Sequence, residues 1–122
     1  MATILIVEDN PANLKLAATV LEKAGHAVLS AEDGEKGLVL ARERLPDLVL
    51  MDIQMPGIDG LEATRRLRAD PATAGLKIVA LTALAMKGDE ERILEAGCDG
   101  YIAKPFRYQD LLDRVAAALG PG

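Results

Sequence analysis

Cysteine, histidine and aromatic residues are scarce in this sequence. It has one cysteine, one histidine, two tyrosines, one phenylalanine and no tryptophan. A single thiol forms no internal disulfide, and one cysteine with one histidine does not supply the ligands of a structural zinc site. So few aromatic rings also argue against a surface on which nucleic-acid bases stack. The fold must therefore be stabilised by an aliphatic core.

Long apolar runs and an excess of positive charge are missing as well. The longest nearly apolar stretch, residues 78–86, is interrupted by Thr82 and falls far short of the roughly 20 residues that span a bilayer. No basic segment precedes the first apolar run at residues 4–7, so we expect no secretory signal and a cytoplasmic protein. The formal net charge of -5 argues against binding nucleic acid through its phosphates.

What the sequence does have is enough apolar material for one core. The chain has 122 residues, of which 50% are hydrophobic, so it is too apolar for intrinsic disorder. Its length is that of one domain. We therefore predict a single domain over residues 1–122.

Short aliphatic runs alternate with longer segments of helical periodicity. The predicted strands are residues 4–7, 27–31, 48–51, 78–82 and 101–103. The predicted helices begin at Asn10 and Pro11, at Asp33, at Asp59 or Gly60, near residue 88 and at Tyr108. Several strands are apolar on both faces, which is typical of a parallel sheet covered by helices on each side. Five repeats of strand then helix predict an α/β fold with a doubly wound parallel sheet.

Charged and polar side chains stand at the carboxyl ends of four predicted strands. Glu8 and Asp9 follow the first strand, Asp52 the third and Lys104 the fifth, and Thr82 closes the fourth. These strand ends meet at one edge of a parallel sheet. Three converging carboxylates repel one another unless a cation lies between them, and ligands that are all oxygen favour Mg²⁺. Taken singly, each carboxylate is equally well explained as a helix cap, Thr82 as a strand residue and Lys104 as a solvated charge; their joint occurrence favours a site.

Four segments resemble a known family. They are VEDN at residues 7–10, LVLMDIQMPGIDG at 48–60, ALTA at 80–83 and YIAKP at 101–105. Together they resemble the receiver domain of two-component response regulators, and the resemblance covers essentially the whole chain. The segment ALAMKGDEER at 83–92 is similar to a narrower group, the single-domain regulators of the DivK cell-division type and the receivers of hybrid histidine kinases.

The resemblance implies a five-stranded parallel sheet in the order 2-1-3-4-5 and a magnesium site. Asp52 is then the phosphoacceptor. Asp9, Asp52 and the backbone carbonyl of Gln54 coordinate Mg²⁺ directly, and Glu8 reaches the ion largely through water. Many relatives have aspartate where this chain has Glu8, a departure that bears on the water-mediated contact only.

The resemblance also implies how phosphorylation becomes a signal. Lys104 binds one phosphoryl oxygen, and the Thr82 hydroxyl donates to another, helped by the amide of Ala83. The inward movement of Thr82 then makes room for Tyr101 to rotate from solvent toward the core. Leu84 is a further candidate, since its apolar side chain would shield the acyl phosphate from water.

The function expected from these residues is that of a single-domain response regulator rather than an enzyme. We expect a monomer that receives a phosphoryl group from a histidine kinase or a histidine phosphotransfer protein and then binds a downstream protein target. The alternative within the family is the receiver of a hybrid kinase or a phosphorelay intermediate. An aspartate-nucleophile phosphatase is disfavoured, because such enzymes carry a second carboxylate two residues after the nucleophile, where this chain has Gln54.

Overall fold

The computed structural model describes residues 2–55, 57–83 and 87–120, and within these ranges five strands alternate with five helices. The strands are β1 (Thr3–Val7), β2 (Ala27–Ala31), β3 (Leu48–Asp52), β4 (Lys77–Thr82) and β5 (Gly100–Ala103). The helices are α1 (Pro11–Lys23), α2 (Gly34–Arg44), α3 (Gly60–Ala69), α4 (Lys87–Ala96) and α5 (Tyr108–Leu119). The predicted alternation is confirmed. In the described parts of the chain, each helix is too short or too polar to cross a membrane.

The strands form one parallel sheet in the order β2-β1-β3-β4-β5, which confirms the predicted α/β doubly wound fold. The pairings that set the level of the carboxyl edge are Val7 with Met51, Asp52 with Leu81, and Thr82 with Ala103. The carboxyl ends of β1, β3, β4 and β5 therefore lie side by side. This register places the loops with the candidate site residues at a single edge of the sheet.

Successive strand residues point to opposite faces of the sheet, and each face has its own core. Leu5, Val7, Val49 and Met51 face α2, α3 and α4, whereas Ile4, Ile6, Leu48 and Leu50 face α1 and α5. All eight of these side chains are completely buried. The strand ends are thus fixed from both sides of the sheet.

The predicted caps of the first three helices agree with the structure. The side chain of Asn10 accepts hydrogen bonds from the amides of Ala12 and Asn13, and Asp33 and Asp59 cap α2 and α3 in the same way. Asp59 rather than Gly60 is therefore the cap of α3.

Five bounds differ from the prediction, each by one residue. β1, β4 and β5 begin earlier than predicted, at Thr3, Lys77 and Gly100. Asp52 is the last residue of β3 and not the first residue after it, because its backbone still pairs with Leu81. Helix α4 begins at Lys87, one residue before the predicted start.

Candidate functional site

Three carboxylates converge at the carboxyl edge of the sheet. Glu8 and Asp9 follow β1 directly, and Asp52 ends β3, the neighbour of β1. One oxygen from each carboxylate lies within 4.8 Å of the others. Glu8 and Asp52 are 3% and 2% exposed, whereas Asp9 is exposed to solvent. The three residues predicted from the strand ends are therefore brought together.

Lys104 places its ammonium between the two buried carboxylates. Its Nζ lies 3.0 Å from Glu8 Oε1 and 3.3 Å from Asp52 Oδ2. Lys104 comes directly after β5, so a residue 96 positions away in the chain supplies the positive charge for Glu8. The peptide bond between Lys104 and Pro105 is cis. This ammonium partly neutralises the two carboxylates.

Burial and the neighbouring charges shift the pKa values of two of these groups. Burial raises the pKa of Glu8, and the adjacent Asp52 raises it further, while Lys104 acts in the opposite direction. Burial by itself lowers the pKa of Lys104, but its contacts with Glu8 and Asp52 outweigh that effect, so the pKa of Lys104 is raised. Lys104 is thus held in its charged form, and Glu8 is harder to ionise than an ordinary glutamate.

The loop after β3 holds the Asp52 carboxylate from the other side. The amide of Gln54 donates to Asp52 Oδ1 over 2.9 Å, so the two oxygens of Asp52 face a backbone amide and the Lys104 ammonium. The Gln54 side chain crosses to the next loop, where its Oε1 accepts a hydrogen bond from the amide of Ala83 over 3.3 Å. The sequence did not suggest this contact, because residues 54 and 83 belong to different loops and neither motif refers to the other.

The two residues expected to form the switch occupy neighbouring strands. Thr82 is completely buried at the end of β4. Tyr101 pairs with Ala80 in the sheet and is partly buried against the core that faces α2, α3 and α4. Leu84, the candidate for shielding the acyl phosphate, lies outside the described residues.

The donor set fits a hard divalent cation. Carboxylate oxygens are the ligands that Mg²⁺ prefers, and the ion usually takes one or two carboxylates and keeps several waters. Glu8, Asp9 and Asp52 supply such oxygens within a space of 4.8 Å, and the exposure of Asp9 leaves one side of the cluster open to solvent. A cation there would also relieve the repulsion that raises the pKa of Glu8.

An apolar groove opens beside the acidic cluster. It has a volume of about 380 Å³ and is bordered by α1, the start of α5 and the loop between β5 and α5. Leu16, Phe106 and Tyr108 line it, and so do Glu8 and Lys104. Leu16 and Tyr108 are 47% and 54% exposed, respectively. The groove therefore combines exposed apolar surface with direct access to the site.

Solved structures share this fold over almost their whole length. The chemotaxis response regulator CheY4 of Vibrio cholerae superposes with a TM-score of 0.92 at 26% sequence identity, covering 97% of this chain and 98% of that one. The receiver domain of a sensor histidine kinase of Pseudomonas aeruginosa superposes with a TM-score of 0.90 at 38% identity, with 98% of each chain covered. That second structure has a magnesium ion coordinated in its active site cleft.

The sequence comparison defines the family. Residues 4–116 match the response regulator receiver domain, and the chain belongs to this family. Among curated proteins, it is 43% identical over 118 residues to the polar-differentiation response regulator DivK of Brucella anthropi, covering 97% of this chain and 96% of that protein. The predicted resemblance to DivK-type receivers is confirmed.

Proposed function

We propose that this receiver domain accepts a phosphoryl group on Asp52. The observation that carries the proposal is the cluster itself: a buried carboxylate at the end of β3 lies 3.3 Å from an ammonium and within 4.8 Å of two further acidic residues that fit Mg²⁺. Phosphoryl transfer requires positioning of the reacting groups and stabilisation of charge more than covalent chemistry by the protein. These residues supply both.

The nucleophile is a carboxylate oxygen of Asp52. It attacks the phosphorus of a phosphohistidine, so that a phosphorus–oxygen bond forms while the phosphorus–nitrogen bond breaks and the imidazole leaves with the electron pair. The Gln54 amide and the Lys104 ammonium orient the Asp52 carboxylate, since each contacts one of its oxygens. Lys104 then binds an oxygen of the transferred group and offsets its negative charge.

Asp9, Asp52 and the backbone carbonyl of Gln54 would hold Mg²⁺, and Glu8 would contact it largely through water. When bound, the ion supplies positive charge to the phosphoryl oxygens. The like-charge repulsion that raises the pKa of Glu8 gives the acidic cluster a reason to bind a cation.

Phosphorylation would be transmitted through Thr82 and Tyr101. The phosphoryl group brings a charge of roughly -1.5 to -2 and strong acceptor oxygens to the end of β3, beside the end of β4, where Thr82 lies. Donation of the Thr82 hydroxyl, helped by the Ala83 amide, draws the end of β4 inward, and Tyr101 turns further into the core. The altered surface of α4, β5 and α5 then binds a downstream protein.

The groove between α1 and α5 suits the phosphodonor. A histidine kinase or histidine phosphotransfer protein must place its phosphohistidine at Asp52, and the groove runs from exposed Leu16 and Tyr108 to Glu8 and Lys104. An apolar helix face seated on Leu16 would bring the donor to the site. We therefore assign this face of α1 and the loop at Phe106 to the phosphodonor.

Intact-mass measurement tests the function directly. The protein is incubated with acetyl phosphate and Mg²⁺, and we expect the mass of one added phosphoryl group per chain. Asp52→Asn, which keeps the shape of the side chain, should remain unmodified, and EDTA should abolish the reaction of the unaltered protein. A folded protein that gains no phosphoryl mass with donor and metal present would refute the proposal.

Two alternatives are separated by further measurements. The 38% identity to a receiver of a sensor histidine kinase favours a phosphorelay intermediate as the second candidate. Such an intermediate would pass its phosphoryl group on to a histidine phosphotransfer protein, whereas a terminal regulator would retain it until hydrolysis. A phosphatase would consume donor continuously, and we expect instead one equivalent followed by slow turnover.

The remaining assignments concern the setting of this domain. We propose that the chain acts as a cytoplasmic regulator of the DivK type, monomeric and without catalytic turnover of its own. The 43% identity to the Brucella DivK protein supports the DivK-type assignment. Light scattering coupled to gel filtration, before and after phosphorylation, measures the oligomeric state.

A further inference from the structure

The first residue of α3 is in very close contact with the phosphoacceptor's backbone. A Cβ atom added at Gly60 would overlap the carbonyl oxygen of Asp52 and lie 2.7 Å from the Cα of Ile53. Ordinary van der Waals contacts of a Cβ are 3.4–4 Å. Both contacted atoms belong to the backbone, which cannot turn aside as a flexible side chain can. The absence of a side chain at Gly60 therefore sets how near α3 approaches the end of β3.

The backbone conformation at position 60 does not by itself require a glycine. Its φ lies outside the left-handed region, so an L-residue could adopt the same backbone. Gly57, three residues earlier, is the opposite case: its φ is 77°, and among the described residues outside its chain neighbours nothing lies within 4 Å of an added Cβ. Close contact alone thus explains Gly60.

A second glycine holds the far end of the same loop. A Cβ at Gly34, the first residue of α2, would lie 2.7 Å from the carbonyl oxygen of Ile58 and 3.3 Å from its Cβ. Gly34 also lies outside the left-handed region. Ile53 and Ile58, near the two ends of the loop between β3 and α3, therefore each lie against the first residue of a helix without an intervening side chain.

We propose that Gly60, assisted by Gly34, is a positioning residue for the metal site. Because neither glycine has a side chain, the loop lies close to both helix starts. This close contact sets the position of the Asp52 carboxylate and the Gln54 carbonyl relative to Asp9. The inference rests on the proposed function and deepens it. It assigns the geometry of the cation site to two residues that supply no ligand atom.

A side chain at position 60 would displace the site residues, because the surrounding packing prevents α3 from moving away by itself. All five residues of β3 are buried, and Ile53, at 8% exposure, is tied to the Leu81 carbonyl by its amide over 3.2 Å. An added methyl group must move either α3 or the backbone of Asp52 and Ile53. Leu61, Ala63 and Leu67 fix α3 in the core, so the end of β3 shares the shift. The Asp52 carboxylate and the Gln54 carbonyl then move relative to Asp9.

The test compares three glycine to alanine variants. Gly60→Ala and Gly34→Ala carry the predicted contacts. Gly75→Ala is the matched control, since an added Cβ there has none of the described residues within 4 Å apart from its chain neighbours. Mg²⁺ is titrated into each folded protein, and the dissociation constant is measured from the shifts of backbone amide resonances. Urea unfolding in EDTA gives the stability of each variant separately.

We expect Gly60→Ala to weaken Mg²⁺ binding by about tenfold, a loss typical of residues that support metal ligands. Gly34→Ala should weaken it less, and Gly75→Ala should leave it unchanged. A merely structural role would lower the stability of the Gly60 variant and leave the Mg²⁺ affinity of its folded form equal to that of the control. That result would overturn the inference.

The outcomes also separate this inference from the proposed function. If the unaltered protein bound no Mg²⁺, the proposed function and the inference would both be wrong. If the unaltered protein bound Mg²⁺ and Gly60→Ala matched the control, only the inference would be wrong. Should Gly60→Ala fail to fold, Gly34→Ala decides: weaker binding than in Gly75→Ala supports the positioning role, and equal binding overturns it.

Discussion

Replacing Lys104 with methionine would remove the ammonium between the two buried carboxylates while keeping an unbranched side chain of similar length. Glu8 and Asp52 would then face each other at the carboxyl edge of the sheet without the positive charge that now lies 3.0 and 3.3 Å from them. We expect the metal-free variant to be much less stable than the unaltered protein at neutral pH.

The distances set the size of this effect. At an effective dielectric constant of about 20, opposite unit charges this close attract each other by about 5 kcal/mol per pair. Most of that attraction compensates for the removal of the groups from water. Loss of one partner of a buried ion pair costs about 3–5 kcal/mol, because an uncompensated charge is left behind. Lys104 is 22% exposed, so solvent screens part of the interaction and we expect about 3 kcal/mol.

Urea unfolding in EDTA at several pH values measures the loss. Lys104 lowers the pKa of Glu8. In the folded variant, which lacks this ammonium, the pKa of Glu8 should therefore be still higher than it is in the unaltered protein. A carboxyl whose folded pKa is raised contributes stability below its ordinary pKa and loses that contribution as the pH rises through the folded value. The deficit of the variant should therefore be small in acid and grow toward neutral pH.

Added Mg²⁺ should stabilise the variant more than the unaltered protein, since the cation replaces the missing charge. Lys36→Met is the matched control, because Lys36 and Glu32 form an exposed pair at 3.9 Å. Such a surface pair contributes about 0–1 kcal/mol. If Lys104→Met were as stable as Lys36→Met in EDTA at pH 7, or if its deficit did not depend on pH, Lys104 would not be the charge that compensates this cluster.

Three other changes have distinct expected results. Asp9→Asn should barely alter stability in EDTA, since Asp9 is exposed, but should remove most of the thermal stabilisation by Mg²⁺; full retention would show that Asp9 is not a ligand. Gln54→Ala removes the side-chain oxygen that now accepts from the Ala83 amide over 3.3 Å, so this amide can donate to a phosphoryl oxygen instead. Phosphorylation by acetyl phosphate should then be faster by up to about fivefold, the equivalent of about 1 kcal/mol. A slower reaction would contradict this competition for the amide. Arg68→Met removes the donors to three backbone carbonyls and one ion pair. It should lower the free energy of unfolding in urea by about 2–3 kcal/mol, against less than about 1 kcal/mol for the exposed control Arg65→Met. Equal losses would show that these contacts of Arg68 do not stabilise the fold.

Much of the fold could be predicted because its signals are local. The apolar runs of the strands and the caps at Asn10, Asp33 and Asp59 act within a few residues of their own position. The exact end of β3 could not be predicted, because whether Asp52 belongs to the strand depends on its pairing with Leu81 on another strand.

The residues of the candidate site could be predicted from the sequence, but the contacts between them could not. The strand-end rule selected Glu8, Asp9, Asp52 and Lys104, and the structure brings them together. The rule did not indicate that Lys104 contacts two carboxylates at once. The hydrogen bond between the Gln54 side chain and the Ala83 amide was equally hidden, since it joins loops that are far apart in sequence.

The alternation of strands and helices, the acidic character of the site and the resemblance to receiver domains could all be predicted, since each follows from the order of side chains along the chain. Which charge compensates which carboxylate, and how closely α3 approaches Asp52, depend on how the elements pack in three dimensions. Charge interactions and steric contacts depend on distances of a few ångströms, and the sheet register and helix packing set those distances between residues such as Glu8 and Lys104.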